Sequence, residues 1–410
     1  MTPLPLSVRG LNLAGRGARA LGLQPVRISF DGLLRKARAN TGLEDFGESD
    51  FEQPLRLLLE SIETEAQLSL LGRIITRGDL LRTLENRLGI VELLKQHPEI
   101  EEQAIERPLF VVGPPRSGTT IFHDLLAMDS NNRVPQSWEA AYPLPPPERA
   151  TYQGDPRIAR CQRELDQVDR LVPEFKRTHP MGAQRAQECV VFTALDFTSM
   201  IYYVQYQVPT YDNWVMQCDM TSALKWHRRA LQVLQWKCPG QRWALKSPQH
   251  LWHLQQLHRA YPDALFVQTH RDPVKTLVSM SNLAAILQVL SSDHVDMRRI
   301  AEHYAAGLAQ GYDNTVAYRR SGGIPPAQVV DLYFGDFVRD QVGTVQRAYA
   351  HFGEQLSAEA AQRMRAFLAE NPADKHGKHT YKLADTGLEL DYLRGIFANY
   401  EDYFAIPREL

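Results

Sequence analysis

The stretch Pro108-Leu-Phe-Val-Val-Gly-Pro-Pro-Arg-Ser-Gly-Thr-Thr120 constrains the fold more than any other. Leu109 to Val112 is an apolar run long enough for one buried strand, and Gly113 to Gly118 is a turn. Ile121, Leu125, Leu126 and Met128 then recur at helical spacing. A strand, a Gly-rich turn and a helix, in that order, aim backbone amides and the positive end of a helix dipole at an anion. Gly113 permits a tight exit from the strand and Gly118 a close approach of backbone to ligand. Ser117, Thr119 and Thr120 add hydroxyls, and Arg116 adds a forked charge. Together they predict a loop for phosphate or sulfate.

Gly113-x4-Gly118 fits the front half of the nucleotide-triphosphatase loop, but Thr119 stands where that loop has Lys. The usual partner is an apolar strand ending in Asp, which helps to hold magnesium. The best later strand, Ala264-Leu-Phe-Val-Gln-Thr-His270, ends without an acid. Both features argue against ATP or GTP hydrolysis and against an essential metal.

Pro115-Arg-Ser-Gly-Thr-Thr120 resembles the 5′-phosphosulfate loop of the sulfotransferases, which use 3′-phosphoadenosine-5′-phosphosulfate (PAPS). A second motif, His270-Arg-Asp-Pro-Val-Lys-Thr-Leu-Val-Ser279, strengthens the resemblance. In that family an Arg at a strand end and a Ser eight residues later hold the donor's 3′-phosphate, and Arg271 and Ser279 keep the spacing. The resemblance runs from about Asp31 to the C-terminus and points to bacterial-type members with a helical N-terminal region. It implies PAPS as co-substrate, 3′-phosphoadenosine-5′-phosphate (PAP) as product, and no metal. It places Arg116, Ser117, Gly118, Thr119 and Thr120 on the phosphosulfate. Phe334 stands where many members have a Tyr near the adenine. Lys378 and His379 fall in a basic loop, Lys375 to Tyr381, similar to the one that closes over the 3′-phosphate.

The family also implies the chemistry. A Lys at a strand end touches the transferring sulfate, and Lys246, closing the short strand Trp243 to Leu245, matches it. A His soon after that Lys is often the base. The common spacing is Lys-x-His, whereas this chain has Lys246-Ser-Pro-Gln-His250. The alternative base is Glu139, beside Trp138 in the Pro-rich stretch 132–147. An acid against bulky apolar groups gains basicity by desolvation, and the protein-tyrosine sulfotransferases place a basic Glu similarly. The expected catalytic set is therefore Arg116, Lys246 and Glu139 or His250, with Glu139 preferred.

The chain has 410 residues, 44% of them hydrophobic, enough for a large core. A net charge of −2 gives no reason to expect a nucleic-acid partner. No apolar run approaches the roughly 18 residues of a membrane span. Cys161, Cys189, Cys218 and Cys238 show no metal or disulfide spacing. Free thiols suit a reducing compartment, and the expected location is the cytoplasm.

Residues 1–30 carry Arg9, Arg16, Arg19 and Arg27 among Gly and Pro, and read as a loose arm or a flap over the substrate mouth. Residues 31–104 read as a helical region. Asp31 caps its first helix, Ser49 or Asp50 the second, and Asp79 starts the third. Residues 105–410 alternate strands and helices in βα order, which predicts a P-loop-like α/β domain with a mostly parallel sheet. One of its helices is expected over 186–204, and Phe197, Tyr202, Tyr203, Tyr206, Tyr211 and Trp214 there serve as core or line an acceptor pocket. The expected activity is metal-independent, in-line sulfuryl transfer from PAPS to a hydroxyl of a small-molecule or lipid-like acceptor. A non-catalytic phosphoadenosine-nucleotide-binding protein and a nucleotide kinase or triphosphatase are the alternatives, and a homodimer is left open.

Overall fold

The computed structural model describes residues 4–372 and 381–410, with the backbone alone at Arg177. Five strands form one sheet: β1 Leu109–Val112, β2 Asn132–Arg133, β3 Arg242–Lys246, β4 Leu265–His270 and β5 Val329–Tyr333. Their order is β2-β3-β1-β4-β5, and every pairing is parallel. All four residues of β1 are buried, as expected for a central strand covered on both faces. Helices Thr119–Ala127, Pro273–Gln288 and Phe334–Arg339 follow β1, β4 and β5. The expected α/β class is the observed one. Strands β2 and β3 lie to one side of β1, and β4 and β5 to the other. The connections therefore reverse direction at β1, and the crevice beyond the C-terminal ends of β3, β1 and β4 is where such sheets bind ligands.

The N-terminal stretch differs from the loose arm expected. Leu6–Ala20 is a helix laid on the helix Leu70–Gln96. Asn12 fastens it, accepting from the Leu71 amide at 3.1 Å and donating to Asp293 at 2.9 Å. Gly15 lies so close to Leu70 that an added Cβ would stand 2.5 Å from the Leu70 Cβ. One of the glycines that argued against order thus permits the packing.

Three further expectations are corrected. Phe30–Thr41 starts at Ser29, so Asp31 lies inside its first turn rather than capping it. Asp79 starts no helix: Ser69 caps Leu70–Gln96, accepting from the Gly72 amide at 3.0 Å, and the helix runs unbroken through Asp79. The helix expected over 186–204 is broken into Val190–Thr193, a tight turn at Ala194–Asp196, and Ile201–Gln205. Phe197 takes the left-handed conformation (φ 51°), and its carbonyl accepts from the Tyr211 hydroxyl at 2.5 Å. That buried bond compensates a backbone state few non-glycine residues adopt.

One apolar core joins the helical region to the α/β layer. Leu33, Leu55 and Leu84 belong to the same cluster as Tyr211, Leu277 and Phe397. Arg87, fully buried, ties the regions together, donating to the Phe46, Glu48 and Leu195 carbonyls at 2.8–2.9 Å and to Asp196 at 3.1 Å.

A second cluster, behind β1 and β3, seals histidines among aromatic rings. His227 sits 6.2 Å from Phe110 and 5.8 Å from Phe192, and bonds the Tyr261 hydroxyl at 2.7 Å. Burial pushes His227 down to about 3 and His253 down to about 4, from an ordinary 6.5. The unfolded chain therefore takes up protons near pH 6.5 that the folded chain refuses until far lower. Their contribution is complete above pH 6.5 and is lost as pH falls toward 4. The urea midpoint should fall steeply over that window. His227→Gln, neutral at every pH, should lose stability relative to the parent at pH 7, and the gap should narrow by pH 4.5. A gap independent of pH would contradict this account.

Candidate functional site

The site is assembled at the C-terminal edge of β3, β1 and β4. Gly113 leaves β1 with φ 136°, and a Cβ there would stand 2.5 Å from the Thr269 carbonyl oxygen of β4. Only glycine allows that approach. The Ser117 hydroxyl donates to the Pro114 carbonyl at 2.6 Å and lies 2.6 Å from the Thr269 hydroxyl, so it shapes the loop from within. Gly118 (φ 90°) precedes helix Thr119–Ala127 and packs under Phe334 and Phe337. The loop therefore presents the helix N-terminus to the crevice.

Arg116 has φ 67°, an uncommon state for a side-chain-bearing residue. Its Nε donates to the Ser279 hydroxyl at 3.1 Å and its Nη1 to the Thr178 carbonyl at 2.8 Å. Burial holds its pKa below the ordinary value. Arg271, just past β4, donates to the Arg116 carbonyl at 2.8 Å and lies over the Phe334 ring, 3.9 Å from its centroid. Its remaining fork is taken by Glu409, two bonds of 2.9 Å each. The amides of Glu409 and Leu410 bond Asp272, at 2.6 and 3.3 Å, so the C-terminal segment is pinned beside Arg271.

Lys246 closes β3. Its ammonium donates to Glu188 and reaches the Thr120 hydroxyl at 3.5 Å. The Cys189 amide donates to the Lys246 carbonyl at 2.9 Å, and this bond across the chain sets Glu188 beside the ammonium. Burial works to raise the Glu188 carboxyl, but the Lys246 charge outweighs it and holds the group below the ordinary range. His179 lies within the same field. Burial lowers it to about 4, the charges of Lys246, Arg116 and Arg185 add to the shift, and Glu188 opposes it. A neutral imidazole and an ionised carboxylate thus stand beside two cations.

Arg116, Thr119, Thr120, His179 and Glu188 line a cavity of about 1120 Å³ whose remaining lining is largely apolar. The long helix Leu70–Gln96 forms one wall, from Leu71 to Asn86. Tyr202, Tyr203 and Tyr206, expected as core or pocket lining, do both.

Neither side chain expected as the base borders that cavity. Glu139 is fully buried: its carboxylate takes Arg133 at 2.6 and 3.3 Å, the Tyr152 hydroxyl at 2.8 Å and the Gln136 amide at 2.9 Å. It belongs to a five-residue helix, Ser137–Ala141, within the Pro-rich stretch. That helix turns Ser137, Ala140 and Ala141 toward the cavity, and Glu139 away from it. His250 is buried edge-on against Phe110, 5.4 Å between ring centres, and burial holds it well below its ordinary pKa. Its neighbours Pro248, Gln249 and Trp252 reach the cavity, and His250 does not. Glu188 and His179, which do line the cavity, are not among the residues that the sequence motifs mark. Glu188 opens an apolar run and His179 lies in a loop, and neither carries a local signal. Lys378 and His379 lie outside the described residues.

A model of the sulfotransferase family matches residues 108–358, more than half of the chain. The chain belongs to the sulfotransferase family. Across 92% of its length this sulfotransferase is 33% identical to the crystal structure of sulfotransferase STF1 from Mycobacterium tuberculosis H37Rv, covering all of that chain with a TM-score of 0.81. Sulfotransferase STF9 from Mycobacterium avium is 29% identical over 94% of this chain and 99% of its own, with a TM-score of 0.86. A curated relative from Mycobacterium bovis, omega-hydroxy-beta-dihydromenaquinone-9 sulfotransferase Stf3, is 22% identical over 300 residues, 71% of this chain and 74% of that protein. The chain is a transferase of sulfuryl groups. Among the described residues no helix is long and apolar enough to cross a membrane.

The Arg133–Glu139 pair gives a direct test of the acid's place. Breaking a buried ion pair from one side costs about 3–5 kcal/mol, because the other charge stays buried and uncompensated. Glu139→Gln should therefore lower the unfolding free energy from urea titration by an amount in that range. Turnover per folded molecule should change little. A loss of turnover of a hundredfold or more with stability intact would return Glu139 to the chemistry.

Proposed function

We propose that this sulfotransferase moves a sulfuryl group from PAPS to the hydroxyl of a long, largely apolar acceptor, without a metal. The observation that carries the reading is the Lys246–Glu188 pair, which reaches the anion loop at Thr120 and whose Glu188 lines a large, mostly apolar cavity. The amides of the loop and the N-terminus of helix Thr119–Ala127 suit the 5′-phosphosulfate, together with Arg116 and the hydroxyls of Thr119 and Thr120. Arg271 and Ser279 suit the 3′-phosphate, and the Phe334 ring suits the adenine. The acceptor class is drawn from the cavity's size and lining, and agrees with the omega-hydroxy-beta-dihydromenaquinone-9 in the name of the mycobacterial relative.

Glu188 is our candidate for the general base, in place of Glu139 and His250. The acceptor oxygen attacks sulfur, the bond from sulfur to the bridging phosphate oxygen breaks, and the hydroxyl proton passes to Glu188. The leaving oxygen gains charge as that bond stretches, and Lys246 and Arg116 neutralise it. A carboxylate paired with an ammonium is a weak base. As Lys246 turns to the leaving oxygen, Glu188 loses its counter-charge and gains basicity while the proton arrives. His179, neutral beside it, orients the acceptor hydroxyl.

Incubation with PAPS and long-chain alcohols, read by mass for the gain of one sulfuryl group, tests the activity; no sulfated product with any of them would overturn it. Glu188→Gln should lower turnover by about 10²–10⁴-fold, the usual range for a lost general base, and leave PAP affinity unchanged. Lys246→Ala should also act on turnover, whereas Arg271→Ala should raise the Michaelis constant for PAPS. Identical kinetic patterns in all three variants would refute this division of roles.

Glu409 holds the arginine that we assign to the 3′-phosphate, so donor and carboxylate compete for one fork. A part-exposed pair is worth about 0.5–1 kcal/mol. Glu409→Gln should tighten PAP binding by about two- to fivefold in calorimetry. Unchanged or weaker binding would show that the two do not compete.

A further inference from the structure

Helix Leu6–Ala20 has two unlike faces. Val8, Asn12 and Gly15 turn toward the body of the protein, where Val8 packs on the main apolar core. The Asn12 bonds to Leu71 and Asp293, and the close approach of Gly15 to Leu70, fix that orientation. At about 3.6 residues per turn, Leu6, Arg9, Leu13 and Arg16 share the opposite face. Leu6 is 80% exposed and Leu13 62%, and Leu21 and Leu23, just past the helix, are 78% and 60% exposed. A single exposed leucine is ordinary surface. Four in one short stretch mark a contact surface.

The charge of the same stretch says what covers it. Residues 1–30 hold Arg9, Arg16, Arg19 and Arg27 and no acid, in a chain whose net charge is −2. Arg16 pairs with Asp293 at 2.7 Å, and Arg19 donates to the Leu68 carbonyl at 2.5 Å. Arg9 and Arg27 are exposed. Leucines interleaved with arginines suit the boundary of a lipid bilayer: the apolar side chains insert, and the guanidinium groups stay with the anionic headgroups. The position of the helix favours the same occupant. Leu71, whose amide bonds Asn12, lines the apolar cavity, and so does Ile74 one turn further on, 45% exposed. An apolar phase outside would thus lie next to an apolar cavity inside.

We propose that the outer face of helix Leu6–Ala20 docks this enzyme on an anionic lipid surface, beside the part of the cavity lined by Leu71 and Ile74. The purpose of docking rests on the acceptor reading given above, since an apolar acceptor is held in such a surface; the docking itself needs no acceptor. The contact is weak and reversible. Each arginine at an anionic surface strengthens partition by about fivefold, and two inserted leucines strengthen it by about tenfold or more. The whole molecule, with its small negative charge, supplies no attraction of its own, so binding to anionic lipid must come from this local patch.

The test is sedimentation of the full chain, without PAPS or acceptor, with two kinds of vesicle: phosphatidylcholine alone, and phosphatidylcholine with about one-third phosphatidylglycerol. The parent should partition onto the anionic vesicles about tenfold or more better than onto the neutral ones, and less as salt rises. Leu6→Ser with Leu13→Ser should lower the partition by about tenfold or more, with the thermal midpoint unchanged because both side chains face solvent. Arg9→Gln should lower it by about fivefold. No preference for anionic vesicles, or parental binding in either variant, overturns the docking face. So does a parent that sediments alone as a dimer and becomes monomeric on the leucine substitutions, which would give the face to a second copy. No substrate enters the assay. A chain that docks but sulfates no long-chain alcohol would therefore refute the acceptor reading and leave the docking face standing.

Discussion

No side chain fits at residue 113, and the site depends on that. Gly113 lets β1 end against the Thr269 backbone of β4. The following turn is then drawn over the C-terminal end of the neighbouring strand, and the Ser117–Thr269 contact holds it there. Arg271 leaves β4 a residue after His270 and bonds the Arg116 carbonyl. Loop and second motif are therefore one rigid unit, although their sequences lie far apart. A parallel sheet supplies the rest: all its C-terminal ends share one edge, so β3 delivers Lys246 to the same crevice.

Within that crevice charges are removed from water and matched. Arg116 is spread over Ser279 and the Thr178 carbonyl, Lys246 over Glu188 and Thr120, and Arg271 over Glu409 and a backbone oxygen. Each of these cations has a partner that a phosphate or sulfate oxygen could replace. In a poorly solvated site such exchanges matter, since a buried charge without a partner is costly. The same logic explains why Glu139 stays out of reach: Arg133, Tyr152 and the Gln136 amide saturate it within a sealed pocket.

The helical N-terminal region is part of the site's architecture rather than an attachment to it. Helix Leu70–Gln96 shares one core with helix Pro273–Gln288, and both line the cavity. The anion end is built by short loops on the sheet edge, and the apolar length by long helices. A fold of this kind can vary the lining of its cavity by changing helix faces without disturbing the loop after β1.

The sequence by itself determined the elements whose physics is local. The strand-turn-helix at 108–128 is written in an apolar run, two glycines and a helical stripe. Arg271 and Ser279 are linked by a fixed helical spacing, and β3 with its terminal Lys246 is an apolar run between polar residues. Features requiring a partner far along the chain were decided only by the tertiary structure. Glu188 comes to Lys246 through a backbone bond from Cys189 to β3, which no nearby pattern announces. Glu139 beside Trp138 has the local signs of a desolvated base, and only the packed chain shows Arg133 closing on it. Gly15 reads locally as a break, yet it is where one helix lies against Leu70. Propensity and spacing act over a few residues, whereas burial is a property of the whole packed chain.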